Sequence, residues 1–193
     1  MGQSKFEWPL INDNITESDK YVLIDWLREP NVRFTQSKYV RKFEKAWSEW
    51  LGVKYSVFVN SGASANYIMA SILKEIKGGG KHCGEVIVPP IGWVSDIAPI
   101  VNLGMTPVFV DVDINNMAIS AENIKNAITD KTIGITLVHA LGFNGLSDEI
   151  IRIAEEYDLV LIEDCCESHG ASIKGKKIGS YGDISTWSFY VAH

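Results

Sequence analysis

The run Gly182-Asp-Ile-Ser-Thr-Trp-Ser-Phe-Tyr-Val-Ala-His193 pairs a hydroxyl, Ser188, with a titratable imidazole, His193, five residues on. Ser188 can donate to an anion. His193, with an ordinary pKa of about 6.5, can take and return a proton near neutrality. Earlier, Asn60-Ser-Gly-Ala-Ser64 leads from an apolar run into a helical pattern. Small residues there let the backbone close on an anion at the positive end of a helix. The commoner occurrence of such a run is an ordinary turn with Ser64 as N-cap, because it matches neither the Walker nor the dinucleotide pattern. Trp93 follows Pro89-Pro90 and could stack on a flat ring or fill a core. Glu163 and Asp164 follow Val160-Leu-Ile162. Successive strand side chains point to opposite faces, so only one of these acids faces a given site. A carboxylate there would stabilise a proton on a ring nitrogen, but could equally be a helix cap or a solvated loop acid. His139 and His169 read as hydrogen-bonded structural histidines and His82 as a loop residue. Together, an anion cradle, an indole, a strand-end acid and a strand-borne Ser with a nearby base describe a pyridoxal phosphate site.

These groups need a scaffold, and hydrophobic periodicity supplies one. Residues 17–29 and 38–51 are amphipathic helices, the second carrying Tyr39, Val40, Phe43, Ala46, Trp47, Trp50 and Leu51 at helical spacing. Pro30-Asn31 breaks the first helix and Gly52 ends the second. From Lys54 onward, apolar runs at 55–59, 85–88, 107–110, 132–138, 158–162 and 184–190 predict six strands. Helices at 64–77, 93–102, 120–128 and 147–157 lie between most of them. That alternation is α/β, a mostly parallel sheet with helices on both faces. Residues 1–52 then form an N-terminal helical segment and 53–193 the α/β domain, with Gly78-Gly-Gly80 as a flexible loop. In such a sheet chemistry collects beyond the carboxyl ends of the strands. Those places are Asn60–Ser64, Pro89–Trp93, Asp111–Asp113, His139–Gly142 and Glu163–Gly170.

Composition limits the partners. A hydrophobic fraction of 46% over 193 residues suffices for a sizeable core. The net charge of −6 contains no basic block, which argues against nucleic acid and polyanionic membranes and toward small substrates. No apolar run approaches a membrane span, and the first residues lack a signal-peptide core. Met1-Gly2 opens like a myristoylation site, but Phe6 stands where Ser or Thr is wanted. A cytoplasmic location is expected. Cys83, Cys165 and Cys166 are odd in number and lack C-x-x-C spacing, so they read as buried free thiols rather than zinc ligands.

Five ordered blocks carry a resemblance: Phe34–Glu44, Val59–Asn66, Pro107–Asp113, Leu161–Ala171 and Gly182–Tyr190. Through them nearly the whole chain resembles the DegT/DnrJ/EryC1/StrS family of sugar aminotransferases and dehydratases. The resemblance implies a fold type I, aspartate aminotransferase-like large domain, and a cofactor of pyridoxal 5'-phosphate or pyridoxamine 5'-phosphate. It implies that Gly62, Ala63 and Ser188 hold the phosphate, Trp93 stacks on the ring, Asp164 pairs with its nitrogen and Glu167 lies near its hydroxyl. Where the aminotransferases read Ser-Phe-x-x-x-Lys, His193 takes the place of the Schiff-base lysine. That is similar to the branch of 3-dehydratases acting on nucleotide-linked 4-keto-6-deoxyhexoses, where histidine serves as base. Asn60–Asn66 and His139–Gly142 also look more like that branch. Glu167, commonly Gln in the family, and Ser37, commonly Gly, depart from the pattern. A nucleotide-linked 4-keto sugar is the implied substrate. A sugar aminotransferase and a non-catalytic fragment are the alternatives. The resemblance further implies a homodimer when complete, with a further strand and a smaller C-terminal domain. The 193 residues are therefore expected to be part of a longer chain, or to be marginally stable alone.

Overall fold

A computed structural model describes residues 15–78 and 83–190; His82 and His193 lie outside the described residues. Helix α1 (Glu17–Arg28) starts at a Thr16 capping box with Asp19, and its C-cap Glu29 precedes Pro30, a position that disfavours helix. Helix α2 (Lys38–Leu51) runs from a Ser37 cap to Gly52, whose left-handed φ of 84° no side chain obstructs. Then follow α3 (Gly62–Lys77), β1 (Glu85–Val88), α4 (Val94–Asn102) and β2 (Thr106–Phe109). A two-residue hairpin of β3 (Val112–Asp113) and β4 (Ala118–Ile119) precedes α5 (Ala121–Ala127) and β5 (Thr132–Val138). Helix α6 (Asp148–Glu156) leads to β6 (Val160–Asp164), a second small hairpin of β7 (Ser172–Ile173) and β8 (Lys176–Lys177), and β9 (Ile184–Thr186).

The main sheet has the order β2-β1-β5-β6-β9, and every pairing in it is parallel. Alternation of strand side chains produces two cores. On one face, Ile87, Ile135, Leu137 and Leu161 pack with Ile124 of α5 and Ile150 and Ile153 of α6. On the other, Val86, Val88, Val160 and Ile162 pack with Met69, Ala70 and Leu73 of α3 and Ile100 of α4. The expected α/β sheet covered on both faces is therefore present.

Three strand expectations need correction. Residues 55–59 form no strand: no neighbour among the described residues offers them a ladder, and Tyr55 and Val57 are 75% and 78% exposed. The strand expected at 158–162 runs from Val160 to Asp164. Asp158, at φ 52°, still belongs to the turn after α6, while Leu137 and Val138 of β5 supply partners for Glu163 and Asp164. The last strand ends at Thr186, opposite Asp164, where β6 itself stops. Beyond it, aromatic packing replaces the ladder. Trp187 lies 5.2 Å from Trp47, and Phe189 lies 5.3 Å from Phe43 of α2.

Glu163, wholly buried, ties the carboxyl end of the sheet together. Its Oε2 accepts from Gly179 N–H at 2.9 Å, and its Oε1 accepts from Tyr181 and Gly182 N–H at 3.0 and 2.6 Å. Gly145 N–H donates to His139 Nδ1, so Nε2 carries the ring proton and donates to Glu163 Oε2 at 3.1 Å. Burial pushes the Glu163 carboxyl up, but the His139 bond and the Gly182 and Gly179 N–H groups outweigh it and hold the carboxyl below its ordinary range. Gly182 cannot carry a side chain, because a Cβ there would meet the Leu161 carbonyl oxygen at 2.6 Å. Replacing the acid by Glu163→Gln leaves buried N–H donors short of an acceptor and should destabilise the chain by about 3 kcal/mol. The check is a lowered urea midpoint at unchanged slope.

Candidate active site

The carboxyl ends of β1, β5, β6 and β9 converge where the strand order reverses between β1 and β5, the place at which open α/β sheets form their crevice. Asp164 ends β6 and points to the α3 face, opposite to Glu163. It is 7% exposed. Its Oδ1 accepts from Cys166 N–H at 2.9 Å, and its Oδ2 accepts from Asn66 Nδ2 at 3.2 Å. The same Asn66 amide nitrogen donates to Asp96 Oδ1 at 2.9 Å, and Trp93 N–H donates to Asp96 Oδ2 at 2.8 Å. A side chain at position 92 would lie 2.8 Å from that Oδ2, so Gly92 is what lets Asp96 fold back over the start of α4. Burial first, then the neighbouring Asp164 charge and a hydrogen bond to it, push the Asp96 carboxyl up to about 8. Asp96 thus favours its protonated form at neutral pH.

At the start of α3 the cap is Ser61, not Ser64, its Oγ accepting from Ser64 N–H at 3.1 Å. The cap falls there because the helix begins at Gly62, four residues before its first buried side chain, Asn66. The N–H groups of Gly62 and Ala63 in the first turn find no acceptor among the described residues. A Cβ at position 62 would stand 3.5 Å from Ser188 Cβ and 3.9 Å from Cys166 Sγ. Gly62, Ser188 and the residues after Asp164 therefore share one place. Ser188 Oγ accepts from Tyr190 N–H at 3.2 Å, which leaves its proton free to donate. Trp93 caps α4 with its indole 75% exposed, at a rim and not in a core. Glu167 is exposed and its Oε2 accepts from Leu141 N–H at 2.6 Å, joining the loops after β5 and β6.

His139, Glu163 and Cys165 lie close enough to hold a metal ion. The hydrogen bonds already occupy both imidazole nitrogens and both carboxylate oxygens, so the trio reads as structural. Burial drives the Cys165 and Cys166 thiols up, with Glu163 and Asp164 charges adding to it for Cys165 and Asp164 for Cys166, so both stay protonated. Cys83, expected to be buried, is exposed. It precedes β1 in a loop, where no core closes over it. No helix among the described residues is long and apolar enough to cross a membrane.

Sequence reasoning overlooked Asp96 and Asn66. Both left a trace: Trp93-x-x-Asp96 has N-cap-to-N3 spacing, and Asn66 interrupts the inner face of α3 otherwise made by Met69, Ala70 and Leu73.

Residues 16–193 match the model of the DegT/DnrJ/EryC1/StrS aminotransferase family. The chain is 39% identical over 83% of its length to the GDP-4-keto-6-deoxy-D-mannose 3-dehydratase of Yersinia pseudotuberculosis, of which it covers 41%. It is 35% identical over 81% of its length to the GDP-perosamine synthase of Vibrio cholerae, again covering 41%. Among solved structures, the E. coli GDP-4-keto-6-deoxy-D-mannose-3-dehydratase with bound hydrated PLP superposes with a TM-score of 0.88 at 34% identity, over 97% of this chain and 48% of that one. The chain spans less than half the length of each of these relatives.

The buried Asp96 carboxyl also shapes stability. Folded, it keeps its proton to about pH 8; unfolded, it releases it at 3.8. The folded state binds the extra proton, so this contribution is full below 3.8 and is lost as the pH rises through about 8. Asp96→Asn, neutral throughout, is expected to remove the decline in melting temperature between about pH 5 and about pH 8, as read by thermal melts in a pH series.

Proposed function

The chain belongs to the DegT/DnrJ/EryC1/StrS aminotransferase family, and on that footing we propose that it carries the cofactor-binding machinery of an enzyme of nucleotide-sugar metabolism. The reaction is loss of the C3 hydroxyl from a nucleotide-linked 4-keto-6-deoxyhexose, with pyridoxamine phosphate as cofactor. The observation that carries the reading is His193, five residues after Ser188, where the resemblance places an amine. An imidazole cannot form the covalent anchor of a lysine, but it remains a base near neutral pH.

The residues at the carboxyl end of the sheet fit the cofactor. The unused N–H groups of Gly62 and Ala63, the Ser188 hydroxyl and the positive end of α3, 16 residues long, suit a phosphate. The buried Asp164 carboxyl, beside Asp96, would accept from a ring N–H. The exposed Trp93 indole would cover a ring face, and Glu167 would serve the ring hydroxyl. When bound, pyridoxamine phosphate supplies an amine for the C4 ketone and an electron sink. His193 would serve as the proton carrier beside the bound cofactor, taking one proton as base and returning it to the C3 hydroxyl, which would leave as water.

Transamination to an aminosugar is the competing reading, supported by the similarity to GDP-perosamine synthase. Incubating the protein with pyridoxamine phosphate and GDP-4-keto-6-deoxymannose separates the two. A 3-deoxy product supports dehydration; an aminosugar formed with glutamate overturns it. His193→Lys is expected to abolish dehydration and, when given pyridoxal 5'-phosphate, to form a borohydride-reducible lysine adduct, visible by mass spectrometry. Ser188→Ala, which removes one hydrogen bond to a charged phosphate, should weaken cofactor binding about 10-fold.

A further inference from the structure

Two buried carboxyls, from α4 and β6, share one amide donor. Asn66 Nδ2 reaches Asp96 at 2.9 Å and Asp164 at 3.2 Å, so the two carboxyls flank a single amide nitrogen. Asp96 is 2% and Asp164 7% exposed. Among the described residues no lysine, arginine or histidine forms an ion pair with either. The remaining donors are the N–H groups of Trp93 and Cys166. Two adjacent carboxylates without a cation cannot both ionise in a buried site, so the pair must hold one proton between them.

The surroundings leave that proton nowhere else to reside. On the β6 side the titratable neighbours of Asp96 are Asp164 and Cys166, whose thiol stays protonated. On the α3 side Asn66 is neutral, and α4 itself offers Ser95, within 3.3 Å of the Asn66 amide. Glu163 and His139 pair with each other on the opposite face of the sheet. The dyad is therefore isolated and carries a single negative charge.

We infer that Asp96 is a positioning residue that shares one proton with Asp164, so that docking a protonated ring nitrogen on Asp164 is linked to release of that proton. The inference rests on the cofactor reading above for the identity of the ligand, though the proton-sharing pair does not. A cation arriving at Asp164 stabilises the ionised form of every nearby carboxyl, and Asp96 is the one holding a proton to lose. The proton passes to solvent buffer, and the pair then faces the ring with more negative charge than Asp164 provides alone. Hydrogen bonds from Trp93 and Asn66 keep the Asp96 carboxyl in place in either state.

The test compares the protein with Asp96→Asn, and with Asp96→Thr in case the amide disturbs folding. Calorimetric titration with pyridoxamine 5'-phosphate near pH 7.5, in buffers of different ionisation heat, counts protons exchanged on binding. The parent is expected to release more protons than either variant, by up to one. Its affinity should rise with pH more steeply than theirs, by up to 10-fold per pH unit. Equal proton counts in parent and variants overturn the inference. Infrared spectra of the ligand-free protein test the pair separately: a protonated-carboxyl band present in the parent and lost in Asp96→Asn supports it, and no such band in the parent overturns it. If that band is present and neither protein binds pyridoxamine phosphate, the cofactor reading fails and the linkage falls with it, while the shared proton stands.

Discussion

The two-residue period of a β-strand is the constraint on which the rest depends. At the end of β6 it turns two adjacent acids to opposite faces of one sheet. Glu163 goes to the α5–α6 face, where His139 and three backbone N–H groups satisfy it completely. Asp164 goes to the α3 face, where its surroundings are acidic. The same two carboxylates, one residue apart, thus have opposite electrostatic fates. Glu163 is depressed and locked, a structural anion that holds the segment entering β9. Asp164 sits beside a second acid, and among the described residues no cation pairs with either. A one-residue slip of β6 would exchange the two environments and lose both.

Much of this was legible in the sequence because it depends on local pattern. The helices α2 and α6, the strands β1 and β5, and the parallel alternation follow from periodicity that packing reinforces. The strand-end location of Asp164 and the opening of a helix at Trp93 follow from the same alternation, whereas Gly62 and Ser188 were joined only by the family resemblance. Residues 55–59 were misread for the complementary reason: β-branched and aromatic residues describe what fits a sheet, but a strand exists only where a neighbour completes its ladder. The Asp96–Asn66–Asp164 group is tertiary in origin. It assembles residues from α4, α3 and β6, and one-dimensional spacing marks each only as a polar residue in an apolar face.

The meeting of Gly62 and Ser188 joins unlike elements. Gly62 is placed by a helix start and Ser188 by a segment just beyond a strand, so no single element positions both. A Cβ at 62 would sit in ordinary contact with Ser188, 3.5 Å from its Cβ, so the start of α3 and the segment after β9 are close neighbours. The exposed Trp93 is held by its backbone alone, through Asp96, and its ring is left without a fixed partner.

The clamp of α2 on the segment carrying Ser188 has a consequence for the order of events during folding. Phe43 and Trp47, from early in the sequence, stack with Phe189 and Trp187, from late in it. Such contacts close one of the longest loops the chain can form, and loop-closure entropy defers them until the intervening sheet has shortened the gap. The central strands and their helices can therefore assemble before Ser188 is in place, and the cradle is completed in the last stage of the search.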